Sequence, residues 1–173
     1  MRHNRFDWKK LFVWVGIGAL LGGTFHGFVN QWPLFWEIAL WKFTILAIGP
    51  VGWMLYRVTY QELYSYILSR RAYWLSLSYY LIFMIAALIH SRFYVVMIYY
   101  GPILIVSMVL FFRSNTVGPT RHKGVAIGLL LSILSALIQV TGVSINEWLN
   151  HNDLYHYAQA VAFIVISNSV SKK

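Results

Sequence analysis

Residues 11–29 read LFVWVGIGALLGGTFHGFV, a stretch with no Lys, Arg, Asp or Glu in it. A bilayer core about 30 Å thick is crossed by about 20 mostly apolar helical residues, so this stretch predicts a membrane span. Five more apolar stretches follow it along the chain. They are Leu34 to Tyr56, AYWLSLSYYLIFMIAALIH (72–90), Phe93 to Phe112, Gly124 to Val143 and Asp153 to Val170. The connections between them are short and polar, with no long linker, low-complexity segment or repeat. The pattern predicts an all-α integral membrane protein, with six transmembrane helices forming one bundle and a single domain over residues 1–173.

Composition agrees. The chain is 59% hydrophobic and only 11% charged, where a soluble domain carries about 25% charged residues. It has no cysteine, which removes disulfides, thiolate metal sites and cysteine nucleophiles together. A basic start followed by an apolar run also resembles a signal peptide. Residues 11–29 are too long for its apolar segment, however, and GGTFHG is a poor cleavage site, so the run reads as an uncleaved first span.

The net charge of +9 would raise nucleic acid as a partner for a soluble protein. Here the distribution of the charge gives another meaning. Arg2, Arg5, Lys9 and Lys10 precede the first span, and Arg57, Arg70 and Arg71 join the second to the third. Arg113, Arg121 and Lys123 join the fourth to the fifth, and Lys172 and Lys173 end the chain. That places 12 of the 14 basic residues on one side, leaving Arg92 on the other and Lys42 within the second span. Basic residues are retained on the cytoplasmic face, so a multi-pass protein of a plasma or inner membrane, with both termini cytoplasmic, is expected. The basic loop RSNTVGPTRHK then suits topology and anionic lipid, not nucleic acid. Trp8, Trp32, Trp36, Tyr56, Tyr73, Trp148 and Tyr155, near span ends, fit interfacial belts. Gly49-Pro50 and Gly101-Pro102 should kink the second and fourth spans.

With that direction, the polar residues at membrane depth fall at one level. His26 lies near the outer end of the first span, Glu37 just inside the second, His90 at the end of the third and Gln139 in the outer third of the fifth. Glu147, His151, Asp153 and His156 gather at the head of the sixth. Lys42 is about a turn and a half below Glu37. Ionisable groups at such depth cost several kcal/mol and usually face the protein interior, which suggests a shared polar site in the outer leaflet. The plain alternative is that wet helix ends tolerate histidine, and that Asp153 is an acid favoured by a helix dipole. Ser144 and Glu147 have the spacing of a capping box, so a helix is expected to begin before residue 150. On it His151 and His156, five apart, would lie about 140° apart around the axis. Both reach one metal only if the helix begins later.

TFHGFVNQWPLFWE, with HNDLYH at the head of the last span, resembles the alkaline ceramidase and progestin/adipoQ receptor superfamily of membrane hydrolases. Its members are seven-helix proteins that hold zinc with three histidines, and the characterised ones hydrolyse lipid amides. The resemblance covers a small part of the chain. It puts His26 at the early histidine, Glu37 at the aspartate of the next helix and His156 at the second histidine of a closing H-x-x-x-H pair. The family's serine falls on Gly22, with Thr24 close by, and the first histidine of the pair falls on Asn152, with His151 beside it.

A catalytic zinc ion takes three protein ligands and keeps a position for water, whose pKa it lowers to about 7. The resemblance therefore implies Zn²⁺ held by His26, His156 and either His151 or Glu37, acting on a lipid amide or ester in the outer leaflet. Glu37, if not a ligand, would serve as general base or acid. Thr24 or Asn152 would donate to an oxyanion, and Asp153, His90 or Lys42 would be orienting groups or alternative ligands. The competing class is a non-catalytic membrane protein that binds haem or copper, relays protons, or docks a partner subunit at its polar end. A Glu37–Lys42 ion pair would then serve packing alone. No Gly-rich phosphate loop, G-x-S-x-G elbow or H-E-x-x-H pair is present.

Overall fold

The computed structural model describes residues 2–64, 70–114, 119–146 and 149–171. Over these residues the chain is all helical: α1 (Arg2–Phe28), α2 (Leu34–Leu63), α3 (Arg70–Ile89), α4 (Phe93–Arg113), α5 (Pro119–Thr141) and α6 (His151–Ser171). Five are long and apolar enough to cross a membrane: Asp7–Phe28, Leu34–Leu63, Arg71–Ile89, Phe93–Arg113 and Thr120–Thr141. The protein is therefore a multi-pass membrane protein. The apolar stretch of α6 lies between HNDLYH at its head and SNSVS at its tail, which lowers its hydropathy below that of the other five.

Several helices outrun their apolar runs. α1 begins at Arg2, α2 continues to Leu63 and α5 begins at Pro119, so Arg121, His122 and Lys123 are helical, not loop. Proline at the first turn costs no hydrogen bond, which explains this last start. α2 and α4 each continue through an internal proline, Pro50 and Pro102.

The chain divides into two compact units, Met1–Ile103 and Leu104–Lys173. In unit 1, α1 and α2 form an antiparallel hairpin. Lipid tails are as apolar as leucine, so membrane helices associate by close packing and hydrogen bonds instead of hydrophobic burial. The hairpin uses both. Gly18 faces Ala47, and a Cβ on Gly22 would lie 3.3 Å from the Thr44 side chain. At the end bearing the chain start, the Trp8 Nε1 donates to Glu62 Oε1 at 3.0 Å, and Arg57 pairs with Asp7 at 3.3 Å. Trp8 is thus buried, at 3% exposure. The far end turns through Asn30, which has a left-handed φ of 68°.

α3 and α4 join this hairpin through aromatic rings. Gly49 and Gly52 leave a notch on α2: a Cβ on Gly49 would lie 2.9 Å from both Met84 Sδ and the Tyr80 ring, and one on Gly52 would lie 2.7 Å from the Tyr99 ring. The Tyr99 hydroxyl donates to the Gly49 carbonyl at 2.9 Å, and its ring stacks on Phe83 at 4.1 Å.

Unit 2 is built on the α5–α6 pair. Gly124, Gly128 and Ser132 follow one another at four-residue spacing on α5, and Ala162, Ile166 and Ser169 are buried on α6. The glycines accept side chains from α6: Ser169 stands over Gly124, and Ile166 over Gly128. Deeper in the same seam, the Ser135 hydroxyl contacts Gln159 Oε1, and Gln159 Nε2 donates to Ser132 Oγ at 3.3 Å. Interhelical hydrogen bonds in a membrane contribute roughly 0.6–2 kcal/mol each. Gln159→Leu is expected to lose about 1 kcal/mol of stability in detergent unfolding, whereas exposed Tyr157→Leu should lose less. Equal losses would mean that the polar contact contributes nothing.

Candidate functional site

The polar candidates divide between the two units, and each has local work. In unit 1, His26 is half-buried near the end of α1, its ring edge-on to Phe25 at 5.3 Å and to Trp41 at 6.1 Å. Trp41 in turn donates from Nε1 to the Ser91 carbonyl at 2.6 Å, tying α2 to the connection after α3. The Asn30 backbone N–H donates to Glu37 Oε1, so this carboxylate closes the turn between α1 and α2. Glu37 and Lys42 are five apart, hence about 140° apart around α2, and they do not pair. An ion pair is formed instead by Arg57 and Asp7, at the opposite end of the hairpin. The Thr24 hydroxyl donates to the Leu20 carbonyl one turn back, at 2.7 Å. Gly22, at the position of the superfamily's serine, is instead the buried contact with Thr44. His90 lies exposed just past the end of α3.

In unit 2 the opening of α6 differs from the sequence expectation. Glu147 lies outside the described residues, and Ser144 Oγ accepts the His151 N–H at 3.1 Å. A box is formed six residues later, by Asn150 and Asp153. Asn150 Oδ1 accepts the N–H groups of Asn152 and Asp153 at 2.8 and 3.4 Å, while Asp153 Oδ2 accepts the Asn150 N–H at 3.1 Å. Two otherwise orphaned helix-end donors and the cap's own N–H are satisfied this way, and Asp153 sits where the dipole favours an acid. The helix consequently begins at His151. His151 and His156 are both helical and project about 140° apart. Asp153 and His156, three apart, share a face and are half-buried. The Asn152 Oδ1 accepts from Gln139 Nε2 at 2.8 Å, joining the ends of α5 and α6.

Zinc catalysis needs three ligands on one centre. Within neither unit do three or more His, Asp or Glu side chains among the described residues gather closely enough to hold a metal.

Two features were not singled out from sequence. His122, on the first turn of α5, is 3% exposed, with Nδ1 at 2.9 Å from Ser114 Oγ and the Phe111 ring beside it. Pro119 was the legible signal for the helix start three residues earlier, whereas the burial of His122 comes from its contacts with Ser114 and Phe111. Unit 1 also holds a cavity of about 200 Å³ between α2, α3 and α4, lined by Trp53, Tyr56, Ser76, Tyr79, Tyr99 and Ile103 among others. Trp53 Nε1 donates to Ser76 Oγ at 3.4 Å, and its ring stacks on Tyr80 at 5.6 Å.

One family model matches residues 1–173, the full length of the chain. The chain belongs to this family, a family of unknown function (DUF6962). No curated protein and no solved structure matches it. Membership therefore adds no substrate or cofactor, and any function rests on the chain's own residues.

Proposed function

We propose that the chain is a non-catalytic, lipid-binding membrane protein, with α6 as a sixth span and both termini cytoplasmic. The orientation rests on the 12 of 14 basic residues that the sequence assigns to one side. The functional reading rests on one observation: groups that the ceramidase-like resemblance gives to hydrolysis hold helix ends in place. Glu37 closes the α1–α2 turn, Asn152 bonds Gln139, and Asp153 caps α6 through Asn150. Buried polar groups at membrane depth are costly unless partnered, and these bonds account for their presence without a reaction.

The hydrolase reading retains one observation of its own. Asp153 and His156 are half-buried on one face of α6, as two donors to a single metal would be.

Elemental analysis of the protein purified in mild detergent, without chelator, separates the two. The non-catalytic reading expects far less than one zinc per chain after zinc is offered, unchanged in His26→Ala and His156→Ala. About one zinc per folded chain, lost in both variants, would overturn it in favour of a metal-dependent hydrolase of a lipid amide or ester.

A further inference from the structure

The cavity in unit 1 lies beside the most basic end of that unit. The hairpin brings the start of α1 to the end of α2, and α3 follows after a short connection. By sequence this end carries Arg2, Arg5, Lys9, Lys10, Arg57, Arg70 and Arg71 against Asp7 and Glu62. Such an excess at a membrane surface attracts anionic headgroups. Arg57 links the two features: its guanidinium stands 5.3 Å over the ring of Trp53, which lines the cavity. Asp7 contacts it through Nη2, and a guanidinium has five N–H donors. Asp7 thus orients the group without using up its donors.

The cavity's contents follow from its size and walls. At about 200 Å³ it is smaller than the roughly 300–1,000 Å³ pockets that enclose compact ligands, which disfavours haem and suits part of a flexible chain. Its walls are mainly aromatic and aliphatic, and the hydroxyls of Ser76 and Tyr99 are already directed to backbone carbonyls, those of Tyr73 and Gly49. Little polar capacity remains for a polar ligand, whereas methylenes pack against such walls by dispersion.

We propose that this cavity takes an acyl chain of one anionic phospholipid, whose headgroup charge, uncompensated by any cationic group such as choline, is held by Arg57. The assignment rests on the lipid-binding reading above and adds the site and the headgroup class.

Native mass spectrometry of the full chain in mild detergent tests it, with phosphatidylglycerol and phosphatidylcholine of identical acyl chains as probes. The expected result is one retained phosphatidylglycerol, favoured at least tenfold over phosphatidylcholine. Ser76→Phe, which fills the cavity, should lower retention about tenfold, and Arg57→Gln should abolish the preference between the two lipids. Leu75→Trp fills the cavity from an exposed position and serves if Ser76→Phe does not fold. Equal retention of both lipids by the wild-type chain would overturn the headgroup assignment while leaving lipid binding in place. Retention unchanged by the cavity-filling variants would overturn the site. A dimer in place of a lipid adduct would assign the surface to a second copy. No retention of either lipid would overturn the inference and the broader lipid-binding reading together.

Discussion

Replacing Tyr99 by alanine is expected to lower the stability of unit 1 by about 3 kcal/mol, the low end of the range for deleting a buried aromatic ring. The low end applies because exposure to lipid carries little of the penalty that water would impose. What the truncation removes is contact: the face of Phe83 at 4.1 Å, the ring of Tyr79 at 5.1 Å and the seat on Gly52. The side chain is 3% exposed, so the space it leaves is enclosed by neighbours from three helices. Tyr99→Phe keeps the ring and deletes only the hydroxyl that donates to Gly49, a change of about 1 kcal/mol. For a chain of this length each kcal/mol corresponds to roughly 2–4 °C in unfolding temperature. A thermal scan in detergent should therefore show a drop of roughly 6–12 °C for alanine and a few degrees for phenylalanine. If the two variants fall equally, the ring is not held in the notch, and α4 is not joined to α2 and α3 through it.

Tyr99 also shows where the sequence stops being legible. The apolar runs announced each helix, because a bilayer demands length and apolarity and little else. They did not announce partners. Gly49 was readable as half of a Gly-Pro bend, but its role beside Gly52 is to admit rings from Tyr80, Phe83 and Tyr99. Those rings look no different in sequence from aromatics that are exposed, such as Trp36 and Trp74. Trp8 illustrates the same limit: near a span end it reads as an anchor, and only the hairpin register reveals Glu62 as its partner. At the polar ends the residue types were legible and their pairings were not. Asn150 and Asp153 form a capping box as good chemically as the one expected from Ser144 and Glu147, and spacing alone cannot choose between two boxes so close together. Gln139–Asn152 needs the antiparallel register of α5 and α6, which no local pattern supplies. The candidate site was the least legible part, since a metal centre requires side chains from distant helices to converge, whereas a cap or a turn requires only neighbours.

Within unit 2 the largest effect is expected at Gly128, and its sign separates packing from helix propensity. Alanine is the better helix former by about 1 kcal/mol, so a glycine inside α5 should be improved by it unless space forbids. Space does forbid: a Cβ there would meet Ile166 Cγ1 and lie 3.0 Å from the Ala162 carbonyl oxygen. The isoleucine can rotate, but the carbonyl belongs to the backbone of α6, so the two helices must separate. Overpacking of this kind costs about 1–3 kcal/mol, and separation also lengthens the Ser132–Gln159 contact in the same seam. Gly128→Ala is therefore expected to destabilise by about 1 kcal/mol net, and Gly128→Ile by about 3 kcal/mol. Gly23→Ala, on α1, is the counter-test, because a Cβ there meets nothing within 4 Å. It should be neutral or stabilising by up to about 1 kcal/mol. Opposite signs in detergent unfolding would establish that Gly128 is retained for the closeness of α5 and α6. A stabilising Gly128→Ala would show that the seam is looser than the contacts imply, and the stacking of Ile166 and Ser169 over the α5 glycines could not then be what holds unit 2 together.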